Sequence, residues 1–476
     1  MGGVQVGTEG GRYADVAIIG GGLSGALLAM QLLRRPGPRR IVIFEPRAQV
    51  GRGEAYSAVA LSHTLNGNAA RMSIDPDAPD DLTHWLTAFI DGGGWPASAL
   101  QRVPVAQLFP PRGVFGTYAR QRLTEALASS PGSTLEHVRA EVVDLRMHEQ
   151  GAALVLENGT QWQAARVVLA TGVFTAARTQ RTGDATFSGL DPWDIPAMAT
   201  LPKDGRVMIV GAGLTMIDAL LSLEQAGHQG PIQVFSRHGL LPQPRRQPPD
   251  WEDFLAQWRG PATPRALSAE LRRHCRLAAE EGVDWQAPLD TVRAHVGRLW
   301  HQASEFHQRQ FVRHLRPWWE SHHHRSPPQG AALLQRLLAD GRLSVEAASL
   351  QNVVSMPNGV QLALKRRGEA VTRLIEGAAV INSSGIEYDW RRVAKPLPQR
   401  LLAQGLVKPG PLALGIDADD GGAVKDAVGQ ASTVLFSLGP PLRGLWWEST
   451  AVTDVAAQAK ALAIRLTCAE GVLLSG

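Results

Sequence analysis

The run VAIIGGGLSG at residues 16–25 leaves a chain few ways to fold. Four apolar residues ending at Ile19 lead directly into Gly20, Gly22 and Gly25, and the later run RRIVIFEP places an acid, Glu45, 25 positions after Gly20. Each glycine has its own reason. Gly20 permits a tight strand-to-helix turn, Gly22 lets the backbone approach a pyrophosphate, and Gly25 lets the next helix pack on the strand. The helix N-terminus then faces the phosphates. Glu45, at the end of the second strand, is placed to accept hydrogen bonds from a ribose 2′-hydroxyl. Strand, helix and spaced acid together predict a dinucleotide site.

The pattern occurs twice. RVMIVGAGLTMID (206–218) repeats strand, Gly211, Gly213 and helix, with Leu214 and Thr215 opening the helix and Met216 in place of the third glycine. Counting 25 from Gly211 reaches Ser236, followed by Arg237 and His238. A carboxylate there would repel a 2′-phosphate, whereas Ser, Arg and His can donate to it, so the second nucleotide reads as NADP. The competing reading of Arg237 is a solvated surface cation. An acid-ended first site and a basic-ended second imply one bound redox cofactor and one diffusing hydride donor: FAD first, NADPH second.

At 476 residues and 44% hydrophobic content, the chain can bury more than one core. Its formal charge is only +4 and its basic residues are scattered, which argues against a nucleic-acid partner. The two cysteines, Cys275 and Cys468, form no CxxC, so a dithiol relay lacks its parts. No basic leader precedes the apolar N-terminal stretch, so the expectation is a cytoplasmic protein without a membrane partner. Met1 to Tyr13 reads as a mobile tail, Phe115 to Ser129 as a helix, Asn158-Gly159 as a hairpin turn and Asp191 to Lys203 as a linker. Trp251 to Arg325 reads as charged, Trp-rich helix, its tryptophans serving mostly as packing anchors.

Together, GGGLSG, GRGEAYS, HTLN, LATG, VGAGLTMID, FSRHGLLP, INSSG and SLGPPLRGLWWEST resemble the bacterial FAD/NAD(P)-binding proteins. These are distant relatives of the lysine and ornithine N-hydroxylases and other single-component flavin monooxygenases. The hydroxylase pattern Asp-x-x-x-Leu-Ala-Thr-Gly-Tyr survives here as LATG, with Ala165 and Val173 at its flanks, and the FxGxxxHxxxW fingerprint is absent. The resemblance implies an α/β fold of two dinucleotide-binding, Rossmann-like domains. An FAD domain (1–202 and 379–476) would hold an inserted NADPH domain (203–378), itself carrying a helical insertion at about 247–330.

The resemblance also implies a flavin where the 51–66 loop, the LATG turn and the C-terminal helix meet. Ser24, Arg52, Val143, Thr171, Gly172 and Gly439 join the glycines and Glu45 as cofactor contacts. Ser449 or Thr450 would cap the C-terminal helix and aim its positive end at the flavin. In the presumed flavin-facing loop, Asn66 could hold NADP or the flavin N5 edge, His63 could supply a proton near neutrality, and Tyr56 could act as a lid. The alternatives are backbone-satisfied loop residues and a core tyrosine. The implied reaction is NADPH-dependent monooxygenation of a soluble small molecule by O2 through a flavin C4a-hydroperoxide. An NAD(P)H reductase passing electrons to a quinone and a non-catalytic flavin sensor are the alternatives, and the oligomeric state stays open. In WWESHHHR (318–325), successive helical side chains point about 100° apart, so three adjacent histidines do not converge on one ion and no metal is expected. Arg325 is then available for a phosphate.

Overall fold

The computed structural model describes residues 11–96, 103–175, 181–182, 185–186 and 189–468. Strand Tyr13–Ile19 runs through the middle of an eight-stranded sheet, between parallel partners Arg40–Phe44 and Gln161–Leu169. Thr134–Val138 and Ala431–Ser437 extend the parallel array on either side, and Ala423–Lys425 closes one edge antiparallel. The hairpin Val142–His148 and Gly151–Leu156 leads through the Asn158-Gly159 turn into Gln161–Leu169. Alternate side chains of a strand point to opposite faces. Val16 and Ile18 accordingly join one core with the helices Leu23–Leu33, Arg112–Ala128 and Val452–Cys468, while Ala17 and Ile19 join another with Trp390 and Leu401.

A second sheet of six strands repeats the plan. Val207–Val210 lies between Ile232–Ser236 and Ala379–Asn382, all parallel, and Leu343–Met356 adds a fourth parallel strand before turning back through Gly359–Arg366 and Thr372–Gly377. The expected boundary at 378 is therefore too early. Each of the four residues Ala379–Asn382 is in register with Val207–Val210, so this strand belongs to the second sheet. The result is an α/β protein of two Rossmann-like units with a helical insertion.

That insertion runs between strands Ile232–Ser236 and Leu343–Met356. Helices Pro264–Glu280, Gln286–Arg293, Val296–Gln302 and Glu305–Gln310 are followed by a π turn, Phe311–Leu315, and helix Arg316–His323. Val296 and Trp300 pack against Leu414 and Trp447, which ties the insertion to the C-terminal part of the chain. Trp300 also donates its Nε1–H to the Gly444 carbonyl at 2.9 Å, whereas Trp318 is 55% exposed, with its ring 6.1 Å from that of His322. The expected linker is instead packed structure. Asp194 caps the short helix Ile195–Ala199 by accepting from the Ala197 amide at 2.9 Å, and Trp193 donates to Asp218 on the second glycine helix, Leu214–Gln225. The first ten residues of the expected tail lie outside the described residues, and Tyr13 already opens the first strand. Among the described residues no helix is long and apolar enough to cross a membrane.

Gly25 shows how tightly the first turn is built. A Cβ there would stand 2.0 Å from the Gly20 carbonyl oxygen and 3.1 Å from Ile18. Gly25→Ala is expected to cost roughly 1–3 kcal/mol of stability, as overpacking does, measured by urea unfolding of the apoprotein.

Candidate functional site

Both glycine turns end in a helix N-terminus with nothing capping it. Helix Leu23–Leu33 begins at Gly22 and helix Leu214–Gln225 at Gly213; neither has a side-chain cap or an acid in its first turn. Their first amides are left for an anion. Gly20 and Gly211 share φ +107°, and a Cβ on either would strike a carbonyl of the neighbouring strand's exit, Ala170 at 2.3 Å or Ser383 at 2.0 Å. Gly22 and Gly213 differ in kind. A Cβ on Gly22 would meet Gly53 only at 3.5 Å, and one on Gly213 would meet nothing within 4 Å. These two glycines keep a space open that the protein itself does not fill.

Around the first turn several of the predicted residues gather. Glu45 is 4% exposed and accepts from the amides of Gly21 and Arg47, both at 3.0 Å, which fixes the carboxylate beside the turn. The Gly51 amide donates to the Gly21 carbonyl at 2.8 Å and brings the 51–57 loop over the helix start. Arg52 donates to Thr117 at 2.8 Å, and its guanidinium is pushed below its ordinary value by burial and then by Arg120. Gly172 takes φ +69° and Gly439 φ +74°, the latter so close to Ser24 that a Cβ would lie 2.7 Å from its Oγ. Val143 sits at the register shift between Val142 and Asp144 in the hairpin. Among the described residues, Arg52 Nε, Thr171 Oγ1 and Ser449 Oγ are buried with no hydrogen-bond partner. Open amides, a fixed acid and these orphaned polar atoms fit an FAD.

Neither Ser449 nor Thr450 is the helix cap. The Val455 amide donates to the Ala451 carbonyl, so Ala451 holds the cap position of helix Val452–Cys468 and offers no side-chain acceptor. Thr450 Oγ1 instead lies 3.4 Å from Arg443 Nη1.

At the second turn, Leu214, Thr215, Ser236, Arg237 and His238 all line one cleft of about 1510 Å3 between the two sheets. Ser236 Oγ accepts from the Gly239 amide at 2.9 Å and shapes the turn, while Arg237 stays exposed. His238 is joined by Arg367, 3.1 Å away, which the motif reading missed because it arrives from a distant β-turn in the second sheet. Burial, then Arg367 and Arg237, lower the His238 pKa. Ser383 Oγ, on the cleft wall, is buried without a partner among the described residues. Cationic groups and open amides fit NADP. Met216, in the third-glycine position, is fully buried in the core of this sheet.

The 51–72 loop divides. Tyr56 and Asn66 line the cleft, with Asn68, Arg71 and Met72 beside them. Tyr56 packs on Phe115 with ring centres 4.7 Å apart, and burial keeps its phenol protonated above the ordinary range. His63 does not stand there as a proton source. It is 1% exposed, and its Nε2 lies 3.0 Å from Ser222 Oγ on the second glycine helix. Since Ser222 donates to the Pro192 carbonyl, the imidazole is the donor in this pair. Arg112, whose amide donates to the His63 carbonyl, pairs with Asp218 of the same helix at 3.2 Å. The predicted catalytic histidine is a latch between the two units, and burial lowers its pKa.

One expectation about 318–325 also changes. Arg325 is fully buried and already serves the His322 carbonyl, Gln286 and Asp290, so it is not available for a phosphate. Helix Arg316–His323 ends before His324, and His323, His324 and Glu448 place potential ligand atoms within 4.8 Å of one another. His322 is not among them and faces the other side of the helix, so the three adjacent histidines do not converge on one point. A cation between His323, His324 and Glu448 faces opposition: burial, then His324, Arg293 and Arg325, hold the His323 imidazole well below its ordinary pKa, and His324 Nδ1 is already 2.6 Å from Glu320. Behind this wall lies a second, apolar cavity of about 520 Å3. Leu315, Trp319 and His322 line it, while their neighbours Arg316, Glu320 and His323 line the cleft.

Gly22→Ala and Gly213→Ala are expected to leave apoprotein stability within about 0.5 kcal/mol of the parent. The first should lose FAD on purification; the second should keep FAD and lose NADPH affinity, read by flavin absorbance and NADPH titration. For His63, protonation is disfavoured in the native state, so its contribution is complete above the ordinary value of 6.5 and declines as pH falls below it toward the lowered folded value. Melting temperature followed from about pH 7 to about pH 5 should fall less for His63→Gln, which keeps a donor for Ser222 and cannot be protonated.

Residues 17–174 match a family model described as FAD-NAD(P)-binding. Over 189 residues the chain is 26% identical to the chloroplastic zeaxanthin epoxidase of Solanum lycopersicum, covering 37% of this chain and 28% of that protein. The chain thus spans little more than a quarter of that curated relative's length. Among solved structures, L-lysine 6-monooxygenase from Pseudomonas syringae superposes with a TM-score of 0.64 at 14% identity, covering 96% of this chain and 99% of that one. The Kutzneria sp. 744 ornithine N-hydroxylase superposes with a TM-score of 0.62 at 13% identity, covering 96% and 100%. Residues 17–174 are thus similar to the FAD-NAD(P)-binding domain of that model, and the fold of the chain is the one these two solved structures share.

Proposed function

We propose that the protein is an NADPH-dependent FAD monooxygenase that oxidises a small molecule in the cleft between its two nucleotide units. One observation carries the reading: two uncapped glycine-lined helix starts, one beside a fixed acid and one leading to Arg237, His238 and Arg367, with a single large cleft reaching the second and the loop beside the first. The FAD unit comprises residues 1–202 and the chain after Asn382; the NADPH unit lies between.

FAD, when bound, supplies the capacity to take a hydride from NADPH and to activate O2. The rest falls to the chain. Gly22 leaves room for the FAD pyrophosphate and Glu45 receives its ribose. Gly213 admits the NADPH pyrophosphate, and Arg237, with His238 and Arg367, receives the 2′-phosphate. Thr171 and Ser449 offer the flavin their unpartnered hydroxyls. Tyr56, kept protonated by burial, and Asn66 hold hydrogen bonds on the cleft side, and the loop that carries them limits water. With Cys275 and Cys468 both free, these thiols form no disulfide to receive the electrons, which favours an external acceptor, and O2 with a small-molecule substrate is the one proposed.

Losing one charge-assisted phosphate contact costs about 1.5–3 kcal/mol, so Arg237→Ala should raise the NADPH KM by roughly 10- to 150-fold while moving the NADH KM little. Asn66→Ala should retain FAD and divert NADPH oxidation toward hydrogen peroxide. Measuring NADPH, O2 and peroxide together tests the reading. NADPH oxidation that proceeds at an undiminished rate without O2, given a quinone, would replace monooxygenase with acceptor reductase.

A further inference from the structure

The cleft assigned above to the substrate is lined by nine arginines and only four carboxylates. Three of those acids already serve cations. Asp290 pairs with Arg71 at 3.1 Å and with Arg325, Asp454 with Arg293, and Glu320 with His324, Arg316 and Arg443. The fourth, Glu448, lies 3.9 Å from His323. Arg245 is left over. It lines the cleft, its Nε is buried without a partner, and among the described residues its guanidinium forms no hydrogen bond or ion pair.

The cost of that arrangement is visible in its surroundings. Burial first, then the neighbouring Arg325, pull the Arg245 guanidinium down to about 10, with Asp290 only partly compensating. A desolvated cation beside other cations is poorly placed until an anion arrives, and a carboxylate meets a guanidinium with paired, charge-assisted hydrogen bonds. The fold holds Arg245 in place independently of its side chain, since its backbone amide donates to the Ser326 carbonyl at 2.8 Å.

We infer that Arg245 receives the carboxylate of an organic acid, so that the substrate of this cleft is an anion rather than an amine cation. This rests on the cleft being the substrate site, but not on the reaction carried out there. Ornithine and lysine, named for two structural neighbours, carry two ammonium groups against one carboxylate, and cadaverine, named for a third, carries two ammonium groups alone, so each would add net positive charge to a cleft already in cationic excess. Phe109, Val312, Pro317 and Tyr388 supply apolar and aromatic wall beside the charges.

Three probes of similar shape and different charge test the inference: benzoate, benzamide and benzylamine, titrated calorimetrically into FAD-loaded protein with saturating NADP+. Benzoate should bind about tenfold or more tightly than benzamide, and benzylamine most weakly. Arg245→Gln should erase the preference for benzoate while FAD content and benzamide binding persist, and Arg245→Lys should restore part of it. Benzylamine binding as tightly as benzoate, or no benzoate binding at millimolar concentration, overturns the inference. So does displacement of benzoate by NADP+, which would give Arg245 to the cofactor's phosphates. The comparison among probes in the unaltered protein decides the matter even if the variants misfold. If NADPH oxidation proves independent of O2 while benzoate is still preferred, only the proposed reaction falls.

Discussion

Two backbone carbonyls organise this molecule. Ala170 and Ser383, each just past the strand beside a central one, press against Gly20 and Gly211 so closely that neither position tolerates a Cβ. That contact fixes the turn at the carboxyl end of each central strand and points the next helix's free amides outward. The cradles take their positions from it, while Glu45 and Arg237 follow the strands Arg40–Phe44 and Ile232–Ser236. The two turns are not equivalent in their interiors. The first packs Gly25 under the Gly20 carbonyl, whereas the second accepts the buried side chain of Met216, so the third glycine is needed only where helix and turn lie closest.

What could be read from the sequence was what local chemistry dictates. Glycine spacing, the apolar strands and the acid 25 positions later all belong to one supersecondary unit, and the two sheets follow from its repetition. Two of the misreadings have a common origin in distance along the chain. Arg367 reaches His238 across 129 positions and His63 reaches Ser222 across 159, and no local pattern announces either meeting. Ser449 and Thr450 are good capping residues that the chain passes by, since the helix starts at Val452 and its first bond falls to Ala451. The expected boundary divides strand Ala379–Asn382 from its sheet because three apolar residues and an asparagine carry no sign of which central strand they will join.

His63 and Arg112 tie the loop carrying Tyr56 and Asn66 to the second unit's glycine helix. The two nucleotide sites are therefore mechanically joined through the element that lines the space between them. Any rotation of one unit against the other has to break a buried imidazole-hydroxyl bond and an ion pair together. A loop expected to serve the flavin thus also sets the spacing of the two units.

The wall between the charged cleft and the apolar cavity is one helix thick, and the π turn Phe311–Leu315 precedes it. A π turn carries one residue more than a regular helix would use over the same path. Each residue advances the helix by about 100°, so the turn sets the rotational phase of everything after it. Inserting one residue there would carry Leu315, Trp319 and His322 into the positions that Arg316, Glu320 and His323 occupy in the cleft. Phase, rather than composition, decides whether this helix shows charge or hydrocarbon to the cleft. A lineage could exchange a polar lining for an aromatic one by changing the length of a single turn, with no change in the identity of any residue in the wall.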